Sequence, residues 1–285
     1  MKLASRPIRI AILDLNNNTP NEGIRCLREI LLSTTGNMYG LPIEFKVFDV
    51  RYRNEIPDLS FDVFISSGGP GSPLGLENAD WEKKYFSWLE KVWNHNIKAV
   101  NDKKYVCFIC FSFELMIRYF ELALLTRRRS QSFGILPVHK TPAGRSEIIF
   151  SRLGDPFFCA DFREWQVTEP DNARLYELGA EIIALEKIRP HVELERALMA
   201  VRLSAEFVGI QFHPEADPRS MLVHFQDQAR KEKIISECGQ DKYNIILHRL
   251  QDPNYLNPTR ETVLPNFLNN AIENLRPEVV FNFSG

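Results

Sequence analysis

Three separated stretches of the sequence contain the residue types that acyl-transfer chemistry needs. They are SSGGPGSP at 66–73, CFICFSFE at 107–114 and GIQFHPEAD at 209–217. Each follows a predicted strand, and the carboxyl ends of parallel strands gather along one edge of an open sheet, where ligands bind. We therefore expect a glycine-rich loop, a cysteine and a His-x-Glu pair to share one cleft.

Cys110 is the candidate nucleophile of this cleft. It lies where an apolar, strand-like run passes into an amphipathic helix, and a thiolate at a helix N-terminus is stabilised by the positive end of the dipole. A core role is the alternative, because cysteine is among the most buried residue types. We assign a core role to Cys26, Cys107, Cys159 and Cys238. Cys110 is treated differently only because a glycine-rich loop and a His-x-Glu pair are expected in the same cleft.

The cysteines also bear on metal and redox chemistry. Five scattered cysteines favour free thiols in a reducing compartment over a disulfide framework. Cys107 and Cys110 form a C-x-x-C pair, but it has no second pair and no nearby histidine, so zinc or thioredoxin-type redox chemistry has little support. We expect no metal and no cofactor.

His213 and Glu215 are the candidate base and its orienting carboxylate. Glu215 stands two positions after the ring, so it can hold one ring nitrogen and stabilise the charged ring while the other nitrogen faces a thiol. An isolated HPE sequence is more often a turn. Surface or packing roles are assigned to His95, His139, His191, His224 and His248.

The loop SGGPGSP offers backbone that can approach a substrate closely and point N–H groups at a developing oxyanion. Its SGG start also resembles the phosphate-gripping loop of ATP pyrophosphatases. That loop usually continues with an Asp-Ser pair, whereas Pro70, Gly71 and Ser72 follow here. We therefore favour the oxyanion role.

The pattern around these stretches predicts an α/β fold. Short apolar runs alternate with helical patterns over the first two thirds of the chain, which is typical of βα units and a parallel sheet. From Phe133 to about Phe212 shorter runs broken by Gly and Pro indicate an antiparallel extension. Expected strands begin at Ile8, Ile43, Phe61 and Lys104, and expected helices cover 21–35 and 81–93.

Composition and charge exclude several classes of protein. With 44% hydrophobic and 25% charged residues the chain is an ordinary globular protein. A formal charge of −2 and a pI near 6.3 give no reason to expect nucleic acid or an anionic membrane as a partner.

Two local segments also bear on the class of protein. The basic run Arg127–Arg129 is interpreted as a solvated helix end. The first apolar stretch, broken by Asp14, is too short for a signal or a membrane span, so we expect a cytoplasmic protein.

Taken together, the three stretches resemble the class I, triad-type glutamine amidotransferases. The match covers about residues 8–220, and both SGGPGSP and GIQFHPE agree closely with that family. The resemblance implies a flavodoxin-like open α/β sheet, mostly parallel with an antiparallel extension. It divides the chain into an amidotransferase-like domain at 1–220 and a mainly helical extension at 221–285, in which Pro253, Pro258 and Pro265 are predicted breaks.

The same resemblance implies a Cys-His-Glu triad that hydrolyses the side-chain amide of glutamine through a γ-glutamyl thioester. Carried over by motif, Cys110 is the nucleophile, His213 the general base and then acid, and Glu215 its orienter. The oxyanion donors are then the backbone N–H groups of Gly69 and Phe111.

The turn around the cysteine departs from the family pattern. Gly68 and Glu114 fall at the substrate site, but Glu114 replaces a glutamine of the family and adds a negative charge there. Phe108 and Ser112 replace two glycines that flank a crowded, strained turn, so the phenyl ring demands extra room. A further departure lies at 161–164, where DFRE replaces a Ser-His-Gly-Asp-like stretch that grips the amino acid.

Three functions follow as hypotheses. The leading one is a glutaminase that delivers ammonia to a separate synthetase partner, with the nearest resemblance to the glutaminase part of GMP synthase. The second is a hydrolase of γ-glutamyl peptides or conjugates, which fits the altered Glu114. The third is a non-catalytic binding or regulatory protein, motivated by the lost glycines and opposed by the intact Cys, His and Glu.

Overall fold

One sheet runs through the part of the chain that the computed structural model describes, which is residues 6–35, 42–189 and 195–277. Its strands are β1 (Ile8–Asp14), β2 (Ile43–Asp49), β3 (Val63–Ser66), β4 (Tyr105–Ile109), β5 (Ala123–Lys140), β6 (Phe157–Pro170), β7 (Glu181–Glu186), β8 (Leu198–Arg202) and β9 (Phe207–Ile210). Their order is β2-β1-β3-β4-β9-β8-β7-β5-β6. The pairings from β2 to β9 are parallel and those from β9 to β6 antiparallel. The predicted open sheet with an antiparallel extension is confirmed.

Helices cover both faces of the sheet. They are α1 (Gly23–Thr35), α2 (Val50–Arg53), α3 (Asp80–Lys98), α4 (Phe111–Phe120), α5 (Pro142–Ser146), α6 (Asn172–Leu178), α7 (Pro218–Gln226), α8 (Gln228–Cys238), α9 (Gln240–Gln251) and α10 (Pro253–Leu275). Within the described ranges no helix is long and apolar enough to cross a membrane.

The central parallel strands β3 and β4 are buried on both faces, which explains their continuous apolar sequences. Alternate residues of β1 enter two separate cores, because side chains of a strand point to opposite faces. Ile10 lies in the core that α1 and α10 cover. Leu13 lies in the core that α3 and α4 cover, where Tyr85 and Trp88 of the aromatic stripe are buried, as predicted.

The antiparallel half corrects two predictions. Arg127–Arg129 do not end a helix: α4 stops at Phe120, where Glu121 adopts the left-handed conformation, and the arginines lie in β5. Pairing with β6, in which Arg127 faces Trp165, replaces the expected helical pattern. Not all of the short runs expected as strands between Phe133 and Phe212 are strands: in the run EIIFSRL at 147–153, Ile148–Phe150 form a 3-10 turn that the Glu147 side chain caps.

The C-terminal helices pack against the rest of the fold. The predicted breaks at Pro258 and Pro265 are wrong, because both lie inside α10. Each costs one backbone hydrogen bond, and the burial of apolar side chains such as Phe267 offsets that loss. Residue 220 lies within α7, and the division of the chain at this point stays a prediction.

Gly209 should be intolerant of a side chain. A Cβ there would lie 2.4 Å from a ring carbon of Phe113 and 2.7 Å from the methyl group of Met116. We expect Gly209→Ala to lower the free energy of unfolding by roughly 1–3 kcal/mol through overpacking, measured by urea denaturation. Gly154→Ala, where the nearest atom is 3.4 Å away, is the control and should change stability little. Equal effects of both substitutions would contradict this account of the helix–sheet contact.

Candidate active site

Cys110 sits on a strained turn between β4 and α4. Its backbone has φ 51° and ψ −107°, a conformation that costs a residue with a Cβ on the order of 1–3 kcal/mol. The surrounding sheet holds it there: the Cys110 N–H donates to Ile210 O at 2.7 Å, and its carbonyl accepts from Glu114 N at 3.1 Å. The residue is 7% exposed, so the thiol lies at the base of a cleft with limited access.

Ser112 braces this turn. Its buried hydroxyl accepts a hydrogen bond from the Ile109 N–H at 2.7 Å and lies 2.7 Å from the carbonyl of Ser66, to which it donates. The serine therefore ties the end of β4 to the end of β3. A glycine at this position could make neither hydrogen bond.

Phe108 finds its room on the face of the sheet that α3 and α4 cover. It is fully buried, and its ring centroid lies 5.9 Å from that of Phe207. The residue beside it in β9 is Gly209, whose missing side chain leaves space for Phe113 and Met116 of α4. Gly209 of the neighbouring strand thus lets α4 pack closely beside Phe108.

His213 and Glu215 meet as the sequence predicts. Glu215 Oε1 lies 2.8 Å from His213 Nδ1, which leaves the other ring nitrogen available to a partner. Burial lowers the pKa of the ring, but the negative charges of Glu215 and of the Cys110 sulfur raise that pKa well above its ordinary value. The ring is a quarter exposed, whereas Glu215 is buried.

Gly68 lies between the ring and the cysteine. A Cβ at this position would lie 2.8 Å from His213 Cε1 and 3.4 Å from Cys110 Cβ, so a side chain here would separate them. Gly69 is packed still more tightly, because its Cβ would lie 2.2 Å from Leu15 O. The structure therefore brings the glycine loop, the cysteine and the histidine together at the ends of β3, β4 and β9.

Two backbone N–H groups beside the thiol have no acceptor in the described part of the chain. Among the residues that the structure describes, neither Gly69 N nor Phe111 N donates a hydrogen bond. Both residues line the same cavity as Cys110. These are the two groups that the family resemblance assigns to an oxyanion.

The cavity over Cys110 has a volume of about 480 Å³. One wall is the 69–72 loop with Phe111 and Glu114, and the opposite wall comes from β5 and β6. Residues 162–164 of the altered DFRE stretch line that second wall. The sequence did not identify its other members, which are Arg127, Gln131 and Trp165. They lie too far from the motifs along the chain to give a local signal.

Glu114 is a buried carboxyl group at the base of the cavity. It is 3% exposed, and burial raises its pKa to about 7, although a hydrogen bond from Gln211 Nε2 at 3.0 Å favours the charged form. The same Gln211 nitrogen lies 4.0 Å from Cys110 Sγ. Gln211 was not singled out in the sequence, although it belongs to the GIQFHPE motif.

Charged groups below the cavity form a network around Arg163. This buried guanidinium pairs with Asp161 at 3.0 Å and with Glu186 at 3.5 Å. Burial opposes its charge, but these carboxylates outweigh burial and raise its pKa. Asp161 also accepts from the hydroxyl of Ser132 at 2.6 Å. The DFRE stretch therefore supplies both a wall of the cavity and its buried ionic support.

The remaining candidates lie outside this arrangement. In the described part of the chain, no group of three or more side chains is placed to hold a metal ion. Cys107 is a free, buried thiol whose pKa is raised by burial, which suppresses thiolate formation. Burial likewise raises the pKa of Cys159. His191 lies outside the described residues.

Solved structures of glutamine amidotransferases share this fold. A glutamine amidotransferase from Thermotoga maritima matches with a TM-score of 0.66 at 15% identity, over 94% of this chain and 99% of that one. A candidate GMP synthase subunit from Thermoplasma acidophilum gives 0.55 at 14%, over 96% and 98%. The glutaminase domain of CTPS from Trypanosoma brucei, with bound acivicin, gives 0.55 at 14%, over 93% and 94%.

These matches show that the chain has the fold of the glutamine amidotransferases, the family that its sequence motifs resemble. At identities of 14–15% they establish the fold alone. No family model matches the sequence, and no curated protein matches it.

The raised pKa of Glu114 predicts a pH-dependent loss of stability. Because this pKa lies above the ordinary value of 4.5, the folded protein loses stability as pH rises from about 5 through 7. Glu114→Gln should remove this effect, so the variant should gain stability over the native protein by roughly 2–3 kcal/mol between pH 5 and pH 8.

Urea denaturation at the two pH values measures this gain. Glu261→Gln, at an exposed position of α10, is the control and should show no such change. If the Glu114→Gln advantage is the same at pH 5 and pH 8, the carboxyl group is not held neutral in the fold.

Proposed function

We propose that this protein hydrolyses the side-chain amide of glutamine through a covalent thioester on Cys110. The observation that carries the proposal is the meeting of Cys110 with the His213–Glu215 pair, whose Nδ1 to Oε1 distance is 2.8 Å, beside a tightly packed glycine loop. The glutamine amidotransferase fold supports the same reaction class.

The chemistry follows from the positions of these groups. The free ring nitrogen of His213 takes the thiol proton, and the ring charge is balanced by Glu215. The sulfur adds to the amide carbon, and the N–H groups of Gly69 and Phe111 receive the negative oxygen. His213 returns the proton to the leaving nitrogen, so ammonia departs and a γ-glutamyl thioester remains. Water, deprotonated by the same ring, then releases glutamate and restores the thiol.

Arg127 and Glu164 are suited to hold the amino-acid end of the substrate. They form an ion pair of 2.9 Å on the cavity wall, with both side chains more than half exposed. An exposed pair of this kind contributes little to stability and opens easily. The guanidinium can then bind the substrate α-carboxylate and the carboxylate its α-ammonium group. Glutamine presents both charges, so a zwitterionic substrate replaces the pair without leaving either charge alone.

The ammonia is proposed to serve a separate synthetase. This part of the proposal rests on the comparisons, which include a CTPS glutaminase domain and a candidate GMP synthase subunit. A glutaminase assay with and without cell extract tests it, because a partner should increase ammonia release.

Cleavage of γ-glutamyl conjugates is a second candidate function. The observation that favours it is Glu114, a carboxyl group at the base of the cavity. The related family has a glutamine residue at this position, and a carboxyl group there would bind a different substrate group than an amide does. Parallel assays of ammonia release from glutamine and amine release from γ-glutamyl amines separate the two functions.

Removal of the nucleophile should abolish turnover. Cys110→Ala should lower kcat to background while the fold remains, because a small apolar residue fits the space of the thiol. His213→Ala should cost nearly as much, since members of a triad act as a unit. Cys238→Ala, at a cysteine far along the chain in α8, should retain full activity. The measurement is ammonia release from glutamine.

A labelling experiment adds an independent readout of the nucleophile. A glutamine-mimicking electrophile should add to the native protein and to Cys238→Ala, but not to Cys110→Ala, as seen by intact-protein mass. A native protein that neither reacts with this probe nor hydrolyses any γ-glutamyl amide would leave a binding protein as the better interpretation.

The charge of Glu114 should weaken binding of glutamine at high pH. The carboxyl group has a pKa of about 7, so it is neutral at pH 6 and charged at pH 8. Glu114→Gln should lower the KM for glutamine by roughly three- to tenfold at pH 8 and change it little at pH 6. A KM that is unchanged or higher at pH 8 would contradict the assignment of this residue to the substrate site.

A further inference from the structure

Arg51 is a half-buried cation beside the glycine loop. No carboxylate forms an ion pair with it in the part of the chain that the structure describes. Burial lowers the pKa of its guanidinium. Removing a charge from water without pairing it is costly, so its retention here calls for a specific role.

The guanidinium is held instead by backbone carbonyls and aromatic rings. Nη1 donates to Leu15 O at 3.1 Å and to Pro70 O at 2.6 Å. Its carbon lies 4.8 Å from the ring centroid of Phe111 and 5.2 Å from that of Trp81. Cation–π contacts of this kind are favourable and directional.

These contacts reach both segments that carry the proposed oxyanion donors, the loop after β3 with Gly69 and the start of α4 with Phe111. Leu15 O is the carbonyl against which Gly69 is packed at 2.2 Å from its virtual Cβ, and Pro70 directly follows Gly69. On the other side, the guanidinium lies over the side chain of Phe111, the first residue of α4. One planar group thus spans the loop after β3 and the start of α4.

We propose that Arg51 is a positioning residue that fixes the spacing between the N–H groups of Gly69 and Phe111. The inference rests on the proposed function, because it concerns the two donors that receive the negative oxygen. Its positive charge, which no carboxylate of the described residues neutralises, also favours negative charge on that side of the cleft. A donor displaced by about 1 Å can cost two orders of magnitude in rate.

A comparison of two reactions of Cys110 tests the proposal. Hydrolysis of glutamine develops an oxyanion, whereas alkylation of the thiol by iodoacetamide does not. Arg51→Met keeps an unbranched apolar stem but removes the donors and the charge of the guanidinium. We expect it to lower kcat by roughly 10- to 100-fold, with KM for glutamine within about threefold and the alkylation rate of Cys110 lowered far less than kcat.

Two further variants complete the experiment. Arg51→Lys keeps the charge but not the planar fork, so it should recover part of the lost kcat. Arg53→Met is the matched control on α2, where an exposed side chain only approaches Asp49 at 3.6 Å, and it should retain native kcat. Thermal unfolding of all variants shows whether the fold is kept.

The outcomes separate this proposal from the proposed function. If the native protein hydrolyses glutamine and Arg51→Met does so equally fast, the positioning role is wrong and the proposed function stands. If alkylation falls in parallel with hydrolysis, Arg51 supports the thiol or the fold rather than the oxyanion site, and the proposal is again overturned. If the native protein hydrolyses no γ-glutamyl amide, both proposals fall.

Discussion

The backbone of Cys110 is the constraint on which the candidate site depends. A residue with a Cβ stays at φ 51° only when its surroundings hold it there, and three adjacent strands do so. β9 accepts its N–H through Ile210, while Ser112 links β3 to β4 beneath it. The same strands end in the glycine loop, the cysteine and the histidine. The strain is therefore supported by the elements that bring the reactive groups together.

Two buried carboxyl groups near the thiol have different partners. Glu215 contacts His213, a ring that can carry a positive charge and so balance the charge of the carboxylate. Glu114 contacts the neutral amide of Gln211, which cannot compensate a charge, and burial raises its pKa to about 7. The arrangement keeps one carboxylate beside the base while the charge of the other depends on pH.

The altered turn keeps its geometry through contacts with its neighbours. Phe108 lies against Phe207 on the side of the sheet where Gly209 admits α4. Ser112 uses its hydroxyl to bind two strands. The turn lacks the two glycines of the family, but these contacts with the neighbouring strand and helix preserve the sharp conformation of Cys110.

The sequence by itself determined the buried strands, the parallel half of the sheet and the position of each motif at a strand end. These follow from local hydrophobic patterns, because a strand covered on both faces must be apolar throughout. Only the tertiary structure decided that Arg127 faces the cavity from β5 and that Pro258 and Pro265 lie inside α10. It also decided that Arg51 contacts both the glycine loop and the first residue of α4. Those outcomes depend on strand pairing and packing between residues far apart in the chain, whose energies outweigh local preference and leave no periodic trace in the sequence.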